Sequence, residues 1–184
     1  MANSKILVPF IKSWEGGFVN DPDDAGGATN QGITLTTYRS WYEHEYGYPI
    51  SSIDALSHLK SISDNEWHDI FKEQFWDRFQ ADKIVSQPVA NILVDWLWAS
   101  GPKIIKRVQR LLGVDADGIV GPRTLAAINS TSDLTLFVKL KKDRAAYINE
   151  ICRTRKANLK FRQGWLNRLY SITYLKLTCN GEQR

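Results

Sequence analysis

Glu15 closes an apolar run and is followed directly by Gly16-Gly17. Just beyond lies a segment dense in carboxylates, glycines and side-chain oxygens: Asn20, Asp21, Asp23, Asp24, Gly26, Gly27, Thr29, Asn30, Gln31, Gly32 and Thr34. A carboxyl at a helix end, facing other carboxylates across a turn, supplies the two roles that glycosidic bond cleavage requires. One group protonates the leaving oxygen, and another activates water or stabilises positive charge on the sugar. Trp14 and Phe18 flank Glu15 with apolar surface. The two glycines remove side chains beside it, so that a bulky polymer can come close. Asp21, Asp23 and Asp24 are all candidates for the second carboxylate, and Thr29 or Thr34 is placed to orient a water. Two other uses compete: a solvated helix end beside an acidic turn, and a calcium loop. The spacing of the three aspartates does not match the ligand positions of an EF-hand.

The elements around this segment follow from periodicity. Ile6, Leu7, Phe10, Ile11 and Trp14 recur at helical spacing. Asn3 or Ser4 caps this helix, Pro9 falls at or just after its first turn, and Gly16-Gly17 ends it near Glu15. Asp-Pro and Gly-Gly dipeptides mark turns through residues 19–32, with a short hairpin whose second strand is Gln31 to Leu35. Thr36 or Thr37 then opens a helix carrying Tyr38, Trp41, Tyr42 and Tyr46. Ser52 to Ser61 is a short helix. Ser63-Asp64-Asn65-Glu66 has the form of a capping box ahead of Trp67, Ile70, Phe71, Phe75 and Trp76. Pro88 opens the next helix, and Gly101-Pro102 is the best break in the chain. Past it come a short helix through Ile104 to Leu112, a turn-rich loop at Asp115–Gly121, a helix from Pro122 to Ile128, a long helix from about Asp133 to Asn158, and a last helix with Trp165, Leu166, Leu169 and Tyr170. The fold class is mainly α with one small β-hairpin beside the candidate site. Residues 1–100 form the catalytic region and 101–184 a second helical region packed on it.

Composition narrows the partners. The chain has 184 residues, 24 Lys and Arg against 20 Asp and Glu, and a formal net charge of +4. That mild excess suits approach to an anionic polymer. Lys103, Lys106, Arg107 and Arg110 cluster, as do Lys139, Lys141, Lys142 and Arg144, but without the interleaved aromatics and motifs of a nucleic-acid binder. No nucleic acid is expected as partner, and a solvated helix face is the plainer use of these clusters. No window reaches the length of a membrane span, so stable membrane insertion is not expected. Cys152 and Cys179 have no metal-type spacing and read as reduced thiols. No metal or organic cofactor is expected.

Residues Trp14-Glu15-Gly16-Gly17-Phe18-Val19-Asn20-Asp21-Pro22-Asp23-Asp24, continuing Gly26-Gly27-Ala28-Thr29-Asn30-Gln31-Gly32-Ile33-Thr34, resemble the signature of glycoside hydrolase family 108. Its members are phage- and prophage-type endolysins, N-acetylmuramidases with a lysozyme-like fold. The resemblance implies that Glu15 is the catalytic general acid. The segment is also similar, more loosely, to the Glu–Asp–Thr arrangement of phage lysozymes, with nine steps from glutamate to aspartate and six more to threonine. Asp24 lies nine steps after Glu15, but the sixth step beyond it is Asn30, and Thr29 is one residue early. The third role is therefore open, and Asp21 and Asp23 stay in contention for the second.

Val108 to Leu125, with its Asp117-Gly118-Ile119-Val120-Gly121-Pro122 turn, resembles the core of peptidoglycan-binding domains. Phe161 to Arg168 looks, more weakly, like the closing motif of the binding region that accompanies this hydrolase family. Asp117 is suited to cap amides in the turn.

These resemblances imply a muramidase that cleaves the β-1,4 bond of bacterial peptidoglycan. Glu15, Asp24 and Thr29 would be the catalytic residues, and Asp21, Asp23, Asn30, Gln31 and Asp117 would contact substrate. A non-catalytic wall-binding or secretion-associated protein is the alternative, and a chitin-like substrate is a further one. A monomer is expected. The N-terminus does not read as a signal peptide, so the expected location is the cytoplasm until a holin or lysis gives access to the wall.

Overall fold

The computed structural model describes residues 1–20 and 27–175. Among them the chain forms two compact units. The smaller is Val8–Gln74, and the larger joins Met1–Leu7 to the residues from Phe75 onward. Helices dominate both.

Helix α1 spans Ser4–Trp14. Asn3 caps it, its side-chain oxygen accepting from the Lys5 amide at 2.9 Å. Pro9 is the sixth residue of this helix, just after its first turn. The apolar stripe outweighs the hydrogen bond that proline removes, because Leu7 and Ile11 are fully buried.

In the smaller unit, strands β1 (Thr29–Asn30) and β2 (Ile33–Thr34) form an antiparallel hairpin in which Thr29 faces Thr34 and Asn30 faces Ile33. Its two-residue turn is Gln31-Gly32, with φ of 48° and 80°. Positive φ at both central residues is the twist that joins tight hairpins. The second strand is shorter than the expected Gln31–Leu35, because Thr34 is already the cap of α2 (Leu35–Tyr46), accepting from the Thr37 amide. Helix α3 (Ser52–Lys60) is capped by Ser51. Helix α4 (Asp64–Phe71) opens with the expected capping box: the Glu66 amide donates to Ser63 Oγ and the Ser63 amide to Glu66 Oε2. It runs into a wider π-turn at Lys72–Trp76.

The larger unit is organised around α5 (Gln87–Ser100), which is buried at every position from Pro88 to Leu97. A helix covered on all sides is a central one. It packs against α6 (Lys103–Leu112) and α8 (Asp133–Thr154), and α8 in turn packs against α9 (Arg162–Ser171). Gly101, with φ of 74°, ends α5. Helix α7 (Pro122–Ser130) begins at the expected proline. Helix α8 is shorter than the expected Asp133–Asn158. Arg155 turns extended, and the Asn158 side chain folds back to donate to the Ile151 carbonyl at 3.0 Å. The same carbonyl accepts from the Arg155 amide at 3.1 Å, so the turn that follows is fastened to the last turn of α8.

One charged cluster lies inside this unit. Asp95 on α5 is fully buried and accepts from Arg144 Nη1 at 2.6 Å and from Arg168 Nε and Nη2 at 3.0 and 2.8 Å. Burial pulls the Arg144 guanidinium below its ordinary value, and Asp95 opposes that shift. Buried charge persists only when paired in this way.

Candidate active site

Glu15 is the first residue past α1 and is half-buried. Its amide donates to the Lys12 carbonyl at 3.2 Å, a last tight turn that sets where the side chain leaves the helix. Among the described residues, a Cβ built on Gly16 or Gly17 meets nothing within 4 Å. Among those residues the glycines are not needed to avoid a clash, and the space at their Cβ positions, next in sequence to Glu15, is open.

The end of α1 is held by Lys12, one turn before Glu15. Lys12 Nζ bonds Asp64 Oδ1 at 2.5 Å and sits 4.8 Å from the centre of the Trp67 ring. The ammonium holds the Asp64 carboxyl below its ordinary range. A cation in the last turn also complements the helix dipole. Trp67 is fully buried, stacks on Phe71 at 5.3 Å, and donates from Nε1 to the carbonyl of Gln31 at 3.0 Å. One indole therefore touches both the lysine that anchors the Glu15 helix end and the turn of the hairpin. Nothing in the spacing of the sequence announces this residue as a positioning group.

The chain between Glu15 and the hairpin is pinned as well. Val19 and Thr29 pair as an antiparallel bridge, with both N–H···O distances at 2.8 Å. This fixes Thr29 opposite a residue four positions after Glu15. The Thr29 hydroxyl makes no hydrogen bond among the described residues, whereas Thr34 Oγ1 accepts from the Thr37 amide at 3.1 Å and lies 3.0 Å from Thr37 Oγ1. Of the two threonines, Thr34 is spent on the cap and Thr29 is available.

The other candidates divide. Asn30 is buried and donates both protons of its amide to the carbonyls of Leu59 and Lys60, at 2.8 and 3.2 Å. It ties the hairpin to the end of α3. Gln31 forms the turn, with its carbonyl bound by Trp67. Asp21, Asp23 and Asp24 lie outside the described residues. Asp117 belongs to the larger unit. Its Oδ1 accepts from the Ile119 amide at 2.8 Å and from Gln109 Nε2 at 2.7 Å, which holds the carboxyl below its usual range. That is the capping role expected of it. Among the described residues, no group of three or more His, Cys, Asp and Glu side chains could hold a metal ion. No helix among them is long and apolar enough to cross a membrane.

A mainly α fold with one small antiparallel hairpin is consistent with a lysozyme-like architecture. The solved structure of SagA from Brucella abortus is similar over 97% of both chains, with a TM-score of 0.75 and 28% identity. The model of the family described as Glycosyl hydrolase 108 matches residues 8–101, and that described as Predicted Peptidoglycan domain matches residues 103–170. The chain belongs to the Glycosyl hydrolase 108 family. It is a peptidoglycan hydrolase, a glycosidase with peptidoglycan as its partner. Comparison with curated proteins finds no match.

Proposed function

We propose that the enzyme is an N-acetylmuramidase that cleaves the β-1,4 bond after N-acetylmuramic acid, with Glu15 as the general acid. The carrying observation is the setting of Glu15. It is half-buried at the end of α1, held through Lys12 and Trp67, and open on the side of Gly16 and Gly17. A fixed carboxyl with room for a polymer is what protonation of a glycosidic oxygen requires. Asp24, or Asp21 or Asp23 in the same segment, activates the water, and the Thr29 hydroxyl orients it. If the two carboxyls stand about 6.5–9.5 Å apart, water attacks directly with inversion; at about 5–5.5 Å a covalent intermediate forms first. Residues 1–100 carry the chemistry, and residues 101–184 hold the wall. The protein acts as a monomer that stays in the cytoplasm until a holin or lysis exposes the wall. The thiol of Cys152, free of a disulfide among the described residues, fits a reducing compartment.

The test is the chemistry of the new chain ends. Peptidoglycan digested by the enzyme and reduced with borohydride is expected to yield muramitol ends by mass spectrometry. Glucosaminitol ends would assign the other glycosidic bond. A 1,6-anhydro ring would mean that the sugar's own hydroxyl, and not water, attacks, which would remove the need for a second carboxylate.

A further inference from the structure

Helix α6 carries four cations, and of these only Arg107 is held in ion pairs among the described residues. Arg107 is fully paired: its Nε and Nη2 donate to Asp143 at 2.8 Å each, and its Nη1 to Glu150 at 2.8 Å. Lys103, Lys106 and Arg110 make no ion pair among the described residues. Their spacing of three and four residues puts them in one row about 10 Å long. Lys103 and Lys106 lie in and just past the first turn of α6, where the helix dipole opposes positive charge. The three residues line an open cleft of about 520 Å³ together with Pro102, Asp117 and Gly118.

The far wall offsets only part of that charge. Among the described residues Asp117 is the one carboxylate in the lining; its Oδ1 accepts from the Ile119 amide and Gln109, and its charge also meets that of Lys106. Nearby Asp115 is paired with Arg123 at 3.2 Å. Gly118 sits at φ 89°, and a Cβ there would come 3.1 Å from Lys106 Cε. The backbone at this turn thus approaches the lysine stem more closely than a side chain would permit. Three cations against one engaged carboxylate leave the cleft positive.

We propose that this cleft is an anion subsite that takes the carboxylates of the short peptide side chains of peptidoglycan. The inference rests on the reading of the protein as a peptidoglycan hydrolase and names the part of the polymer that the larger unit grips. Peptide carboxylates are ionised at neutral pH. The cleft volume falls within the usual range for small-ligand sites, about 300–1,000 Å³. The glycan backbone alone offers no such density of negative charge.

The test is binding of the full chain to purified sacculi free of phosphate polymers, either untreated or with their carboxylates amidated. Lys103→Ala/Lys106→Ala/Arg110→Ala is expected to bind untreated sacculi about tenfold more weakly than wild type, the size that three exposed charge pairs supply together. Wild type should lose the same factor on amidated sacculi, and the variant should lose nothing further there. A Lys103→Arg/Lys106→Arg/Arg110→Lys variant should bind within about twofold of wild type if charge and not shape is recognised. Unchanged binding by the alanine variant, or an equal loss on both kinds of sacculi, would overturn the proposal. So would a charge-dependent affinity for duplex DNA with none for sacculi. Fragment release by wild type reads the hydrolase assignment separately. Charge-dependent binding without fragments would sink that assignment and leave the cleft standing; fragments with charge-independent binding would do the reverse.

Discussion

Glu15 in the smaller unit and Asp95 in the larger one are both carboxylates set among helices, and their surroundings assign them opposite work. Asp95 is fully buried and receives three hydrogen bonds from two guanidiniums. Its charge is consumed by the fold. Glu15 is half-buried, with open space beside two glycines, and the neighbouring charge of Lys12 is directed to Asp64 and Trp67. In one unit the ion pairs hold helices together around a charge that meets no substrate. In the other they hold a helix end so that its last carboxyl is presented. The type of residue does not separate the two roles; the partners and the exposure do.

This contrast is broken most strongly at Asp95. Asp95→Ala leaves two cations without their buried partner and should cost about 3–5 kcal/mol of stability, measured by chemical denaturation. The activity per folded molecule should be unchanged. A large loss of activity in the folded fraction would mean that the buried cluster also serves the site.

Trp67→Phe tests the opposite unit. It keeps the ring but deletes the donor to the Gln31 carbonyl at 3.0 Å, and should cost about 1–2 kcal/mol. Here the turnover rate should fall by more than the unfolded fraction explains, because the hairpin and the Glu15 helix end share this indole. A rate that only follows stability would reduce Trp67 to a core residue.

The two threonines sharpen the comparison within the site. Thr34→Ala removes the cap of α2 and should cost about 1 kcal/mol with little effect on rate. Thr29→Val should do the reverse, lowering kcat several-fold at constant Tm. If both variants lose only stability, Thr29 does not orient water.

The smallest effect is in the pH dependence. Lys12 lowers the carboxyl of Asp64 in the folded state, so the contribution of this pair is fully present above the ordinary aspartate range. It is lost as pH falls below about 4, through the lowered value. Asp64→Asn should lower Tm slightly in the neutral region and converge on wild type as pH falls through that range, which flattens the acid limb of the Tm–pH curve. An equal difference between variant and wild type at every pH would show that the pair acts without titrating.

What was legible in the sequence was mostly local. The Ser63–Glu66 capping box, the proline start of α7, and the glycine stop after Glu15 each depend on residues a few positions apart. The resemblance at residues 14–34 pointed to Glu15 and the hairpin for the same reason: the motif is continuous. The unread features join distant positions. Trp67 bonds Gln31 across 36 residues, and Asp95 meets Arg144 and Arg168 across 49 and 73. By sequence Arg144 groups with Lys139, Lys141 and Lys142 as a basic cluster, because charge counted along a helix does not reveal which side faces a buried aspartate. The tie made by Asn30 is hidden in the sequence for a similar reason. Its amide is committed to carbonyls at the end of α3, a helix that lies about thirty residues further on.

The central claim is that Glu15 donates the proton that breaks the glycosidic bond. The direct measurement is the initial rate of fragment release from purified peptidoglycan by wild type and Glu15→Gln, with Tm recorded for both. The account predicts equal Tm and a rate lowered at least about a hundredfold, the usual worth of a general acid. A Glu15→Gln enzyme that releases fragments at close to the wild-type rate would contradict it and move the acid to another carboxyl.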